Sequence, residues 1–150
     1  MRNSFFPVVT VLGFAVALFS VAFLVPLTYA FITDEPTVNA FATGFLVTFS
    51  VGVGSHLVTR KFKRELQPRD GFLLVSMVWA GLPAFSTIPM MIFFPDLSLT
   101  DAYFEMVSAL TTTGATVLTG LDGMPASINI WRSLLAWMGG MGILVLAVAI

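Results

Sequence analysis

The sequence predicts an all-α integral membrane protein, and three observations carry that prediction. Of its 150 residues 57% are hydrophobic and only 10% charged, with a mean hydropathy of +0.95. Apolar runs of membrane length recur along the chain, a pattern foreign to a soluble core of this size. Short clusters of charge, proline and glycine separate them as turn signals. Cysteine is absent, which excludes a disulfide framework, a thiolate metal site and a cysteine nucleophile. The single histidine, His56, has no carboxylate cluster with which to build a zinc site.

Four runs are long enough, or nearly so, to span a hydrocarbon core that needs about 20 helical residues: 5–32, 38–58, 72–94 and 128–150. The first follows Met1-Arg2-Asn3, a small basic head, and contains Thr28-Tyr29-Ala30, which could pass for a cleavage site. Its apolar length exceeds the roughly 7–15 residues of a secretory h-region, so it reads as a retained helix. Pro7 and Pro26 fall near its ends, where proline disturbs a helix least. Asp34-Glu35-Pro36 ends this run. Arg60-Lys61-Phe62-Lys63-Arg64, followed by Gln67-Pro68-Arg69-Asp70-Gly71, breaks the second run from the third.

Orientation follows from charge. Arg60, Lys61, Lys63, Arg64 and Arg69 share one short loop, which the positive-inside rule places in the cytoplasm, and Arg2 then lies inside as well. The loop also suits contact with anionic membrane lipid. Asp34, Glu35, Asp96, Asp101, Glu105 and Asp122 fall on or near the outer side. The third run ends near Pro95 outside and the fourth returns inward, so residues 96–127 begin and end outside.

Within that stretch 99–110 reads as a short helix, capped by Ser98 or Thr100, with Asp101 in its first turn. At 1.5 Å per residue it reaches only about 17 Å, near half of a hydrocarbon core of about 30 Å. It can enter a membrane but not cross it. The run Thr111-Thr112-Thr113-Gly114-Ala115-Thr116 follows, poor for continuing a helix and rich in oxygen.

Non-helical backbone at membrane depth is tolerated where protein buries it or where it lines a water-filled path. Aligned carbonyls replace the hydration shell of a cation, glycine permits the dihedrals that aim them, and the C-terminal end of the half-helix adds partial negative charge. Together these effects favour a monovalent cation. The same residues also suit a surface helix followed by a threonine-rich turn, and spacing alone leaves both readings open.

A longer stretch adds specificity. Phe104-Glu105-Met106-Val107-Ser108-Ala109-Leu110-Thr111-Thr112-Thr113-Gly114-Ala115-Thr116-Val117-Leu118-Thr119-Gly120-Leu121-Asp122, continuing through Trp131-Arg132-Ser133-Leu134-Leu135-Ala136-Trp137-Met138-Gly139-Gly140-Met141-Gly142 to Ile150, resembles the Trk/Ktr/HKT potassium transporters, most closely their bacterial TrkH/TrkG branch. The resemblance covers the last third closely and the first two helices in arrangement. It implies four helix-pore loop-helix repeats about a pseudo-fourfold axis, here preceded by two leading helices over 1–70. The first repeat would then occupy 71–150, with its filter at 111–116.

The resemblance implies that the family glycine is Gly114. Backbone carbonyls of Thr112 and Thr113, with Gly114 and Ala115 next, would then hold K+, and Thr111 and Thr116 would support them. Serine at this position goes with sodium transport in the family, so Gly114 argues for potassium. One filter strand cannot encircle an ion. The expectation is an N-terminal portion of a longer transporter, the other strands coming from covalent continuation or, alternatively, from a homotetramer of one-repeat chains.

Glu105 suits either negative potential at the filter or pairing with a neighbouring helix or a filter-supporting amide. Arg132 suits pairing with Asp122 or an acid of another repeat, or snorkelling to the interface. Gly139, Gly140 and Gly142 suit close helix packing. Trp79, Trp131 and Trp137 supply at least one interfacial anchor.

No nucleophile–base pair, P-loop or metal ligand set points to an enzyme. The competing class is a non-transporting helical subunit that binds partner helices. By resemblance, partners are a cytoplasmic nucleotide-binding ring of the TrkA or KtrA type and a second membrane subunit in a dimer. No nucleic acid and no covalent cofactor are expected, and the location is the bacterial inner membrane with a cytoplasmic N-terminus.

Overall fold

A computed structural model describes residues 5–61 and 67–149. Its helices are α1 (Phe5–Ser20), α2 (Leu24–Ile32), α3 (Val38–Thr59), α4 (Pro68–Phe93), α5 (Leu99–Leu110) and α6 (Ala126–Ala149), and no strand occurs among the described residues. Arg2, Lys63, Arg64 and Ile150, on which the orientation and the end of the last run were read, lie outside the described residues. Arg60, Lys61 and Arg69 are exposed.

Three stretches are long and apolar enough to cross a membrane by length and composition: Phe6–Ile32, Val38–Thr59 and Arg69–Phe93. The fourth expected crossing corresponds to α6, of 24 residues. The first stretch is two helices joined by a 3-10 turn at Val21–Phe23. Pro26 supplies the cause, since it offers no N–H to the Ala22 carbonyl and its ring crowds that carbonyl. Pro26 lies near the end of the run, as the sequence suggests, yet the helix changes four residues upstream of it.

The segment 67–71 is not the turn its composition announced. Pro68 opens α4, where its fixed φ is already helical and its missing N–H costs nothing. Gln67 and Asp70 form a capping box, the Gln67 N–H donating to Asp70 Oδ2 at 3.0 Å. Turn formers became a helix start because proline and an acid occupied first-turn positions.

The leading helices pack closely. A Cβ on Gly52 of α3 would stand 2.4 Å from the Ala17 backbone nitrogen of α1, so glycine there permits helix approach. His56 of α3 places Nδ1 3.1 Å from the Thr10 carbonyl of α1, a packing contact between the two helices. One core joins these helices to the rest, built from Phe19, Phe23, Phe41, Met90, Met106 and Trp131. The Phe23 and Trp131 rings lie 4.4 Å apart, and Trp131 Nε1–H donates to the Ser86 carbonyl of α4 at 3.2 Å. Trp131 is thus a core residue, while Trp137 is 63% exposed and suits the interface.

A polar clamp ties the α2–α3 loop to the start of α6. Glu35 Oε1 accepts from the Ala126 N–H at 3.0 Å and Oε2 from the Ser127 N–H at 3.1 Å. These are orphan donors of a helix N-terminus, satisfied from 91 residues away. Thr37 and Ser127 hydroxyls meet beside them at 2.6 Å. Burial pushes the Glu35 carboxyl up, but the Ser127 hydroxyl, the Ser127 and Ala126 amides and the Thr37 hydroxyl outweigh it and hold the group below its ordinary value.

Candidate functional site

The half-length α5 lies between α4 and α6 and delivers the oxygen-rich loop. Ser98, not Thr100, caps it: Ser98 Oγ accepts from the Asp101 N–H at 3.1 Å and donates to Asp101 Oδ2 at 2.7 Å. Tyr103 Oη–H donates to the Ala80 carbonyl of α4 at 3.0 Å. The helix stops by folding its last carbonyls onto the following amides. Thr112 N–H donates to Ala109 O at 3.0 Å and Thr113 N–H to Ser108 O at 2.9 Å, the pair of bonds that defines a Schellman motif.

That motif needs a left-handed residue, usually glycine. Here it is Thr112, at φ +59°, a conformation that costs a side-chain-bearing residue about 1–2 kcal/mol. Gly114 follows at φ +75°. Beyond its chain neighbours, no described atom of this chain lies within 4 Å of the place its Cβ would take, so within this chain glycine provides dihedral freedom rather than space.

The loop is held from behind. Ser108 Oγ–H donates to the Ala115 carbonyl at 2.6 Å. Glu105 Oε1 accepts from the Thr116 hydroxyl at 2.5 Å, the Val117 N–H at 2.5 Å and the Leu118 N–H at 3.2 Å. Glu105 is 1% exposed, and its Oε2 lies 3.2 Å from Arg132 Nη2 of α6. Thr111 Oγ1 donates to the Val107 carbonyl and meets Thr113 Oγ1, each at 2.8 Å. Among the described residues, the carbonyls of Thr112, Thr113 and Gly114 accept no hydrogen bond. Residues 112–116 are exposed on this chain. A cleft of about 250 Å³ lies between loop, α5 and α6, lined by Glu105, Ser108, Thr112, Gly114, Arg132 and Ser133.

The expected residues therefore converge, with one correction. Arg132 does not pair with Asp122, which sits exposed in the 3-10 turn Leu121–Gly123. Arg132 lies on the α6 face turned to α5, where Glu105 is the acid in reach. Of the expectations for Glu105 (negative potential at the filter, a neighbouring helix or a loop amide), the last two contacts are both present, one at each oxygen. Sequence reasoning missed Ser108 and Glu35. Ser108 had a signal, since it stands three residues after Glu105 and shares its face; Glu35 had none.

A half-length helix and an oxygen-bearing loop clasped between two long helices define an integral membrane protein of the re-entrant-loop class. The TrkH family model, described as "Cation transport protein", matches residues 37–150, and the chain belongs to that family. It is 44% identical over 144 residues to the Trk system potassium uptake protein TrkH of Vibrio parahaemolyticus, covering 95% of this chain and 30% of that protein. It is 39% identical over 153 residues to TrkG of Escherichia coli K12, covering 100% and 31%. The crystal structure of the Vibrio parahaemolyticus potassium transporter TrkH superposes with a TM-score of 0.90 at 44% identity, over 97% of this chain and 31% of that one. The chain thus spans about three-tenths of its relatives' length. These relatives are named as potassium uptake proteins, not as enzymes.

Proposed function

We propose that this chain supplies one of four selectivity-filter strands of a transporter that takes potassium into the cell. The observation that carries the reading is the asymmetry of the loop. Its amides and the Ala115 carbonyl turn to α5 and Glu105, while the carbonyls of Thr112, Thr113 and Gly114 find no hydrogen-bond donor among the described residues. Unpaired carbonyl oxygens at membrane depth need a cation or water. Thr112, Thr113 and Gly114 are the ligands in this reading, and Ala115 joins them with one lone pair already used by Ser108. Thr111, Thr116, Glu105 and Arg132 hold them in place.

Residues 1–70 are the leading helix pair and 71–150 the first repeat. The other three strands come from further repeats of a longer chain, whose relatives are about three times the length of this one. The membrane is the bacterial inner membrane, with the N-terminus and the basic loop in the cytoplasm. A nucleotide-binding ring of the TrkA or KtrA type on that side is the expected regulatory partner, and surrounding lipid is the other.

Gly114→Ser in the complete transporter is the test. Within this chain a Cβ at 114 meets no atom beyond its chain neighbours within 4 Å, so the strain a serine brings here comes from the left-handed φ. The preference for potassium over sodium in uptake should fall while membrane abundance holds. Unchanged uptake and selectivity at equal abundance would remove the filter assignment and leave a helical interaction subunit.

A further inference from the structure

We infer that Gly139 is a positioning residue for ion selection: α6 carries no side chain there so that the root of the loop can rest directly on its backbone. The inference builds on the filter reading above. A Cβ placed on Gly139 would stand 1.6 Å from the carbonyl oxygen of Leu110 and 2.7 Å from its carbonyl carbon. Real Cβ atoms do not approach other atoms so closely, and the obstacle is backbone, which cannot rotate away as a side-chain tip can. Leu110 is the last residue of α5, one residue before Thr111 and two before the strained Thr112. Any side chain at 139 must therefore displace the segment from which the acceptor carbonyls hang.

The contact is also chemically specific. Leu110 is 4% exposed, and among the described residues its carbonyl accepts no N–H, because the chain turns away after Thr113. The hydrogen that glycine holds in place of a side chain points at this oxygen, giving a Cα–H···O contact, a weak but recurrent device between close helices. It partly answers a buried acceptor at the negative end of α5. The neighbouring glycines differ. A Cβ on Gly140 would reach only Thr112 Cγ2, at 3.7 Å, and one on Gly142 would meet nothing within 4 Å.

Gly139 lies seven residues after Arg132, two helical turns along the same face. Along α6, Arg132 holds Glu105 and Gly139 seats Leu110, so one helix fixes α5 both at mid-length and at its end. The first contact sets the far side of the loop through Glu105. The second sets its depth. Gly139 touches no ion; it acts through the Leu110–Thr112 backbone.

The test compares Gly139→Ala, Gly140→Ala and Gly142→Ala in the complete transporter, reading potassium, rubidium and sodium uptake at matched membrane abundance. Gly139→Ala should lower the potassium-over-sodium preference by about tenfold, which is about 1.4 kcal/mol of discrimination, with the other two near wild type. Gly139→Ala that accumulates with unchanged preference would overturn the inference. If it fails to accumulate, hydrogen exchange of residues 136–142 in the purified wild-type transporter decides. Protection that rises with potassium and not with sodium supports the coupling, and indifference to the ion overturns it. Loss of preference in Gly114→Ser with an unaffected Gly139→Ala would leave the filter standing and remove only the role given to Gly139.

Discussion

Glu105 and Arg132 form an ion pair 3.2 Å apart across α5 and α6, with the Glu105 side chain fully buried and that of Arg132 19% exposed. The carboxylate divides its work: Oε2 faces the guanidinium while Oε1 gathers three donors of the loop. Among the described residues, Arg132 Nε and Glu105 Oε2 have no hydrogen-bond partner of full geometry, so the pair rests on charge more than on a bidentate fork. Removing either partner leaves a buried charge uncompensated, which is costlier than the pair itself is stabilising.

Arg132→Gln should therefore destabilise the protein by about 3–5 kcal/mol, and Glu105→Gln by a similar amount with loss of the loop's anchor. The double variant should recover part of either loss, because no lone charge remains. Thermal unfolding in detergent, taken with potassium uptake, checks this. Strict additivity of the two changes would mean the residues are not coupled.

Glu35 carries a pH dependence of definite sign. Its carboxyl is held below its ordinary value of about 4.5 by its amide and hydroxyl partners, so the clamp on α6 is at full strength above about pH 4.5 and weakens as pH falls through the lowered value. Glu35→Gln should lose roughly 1 kcal/mol at neutral pH, as for other helix caps, and its stability should vary less than wild type below pH 4.5. Parallel loss of stability in both proteins on acidification would assign the effect to another carboxylate.

Local signals were readable in the chain, and long-range partners were not. The bounds of α5 follow from Ser98 as cap and from three threonines and a glycine as stop. The end of α3 falls within a residue of where the basic cluster begins. At 67–71 two local rules competed: proline and glycine announced a turn, but proline at the first position and an acid at the third are also how helices begin. Glu35 looked like a loop acid because its donors, Ala126 and Ser127, lie 91 and 92 residues on. Arg132 had several acids to choose from, and only packing selects Glu105. Three glycines in the 139–142 segment looked alike, and only the position of Leu110 tells them apart.

Trp131 joins three parts of the fold through one side chain, meeting the Phe23 ring at a tilt of 40° and donating to the Ser86 carbonyl. Trp131→Phe keeps most of the aromatic surface and removes the donor, so a loss of about 1–2 kcal/mol is expected. Trp131→Ala adds a cavity and should cost about 3–5 kcal/mol. Equal melting temperatures for wild type and Trp131→Phe would show that the indole N–H contributes nothing.

Thr112 separates the work of backbone and side chain in the loop. It occupies a left-handed site at φ +59° that glycine fills without steric cost, so Thr112→Gly should relieve about 1–2 kcal/mol of strain. Part of that gain, roughly 0.5–1 kcal/mol, is offset by the greater freedom of glycine in the unfolded chain. Thr112→Val keeps both shape and strain and deletes only the hydroxyl. If the carbonyl is what meets the ion, uptake should survive both changes, with Thr112→Gly melting at or slightly above wild type. A folded Thr112→Val transporter that no longer discriminates potassium from sodium would place the hydroxyl, not the carbonyl, in the ion's path.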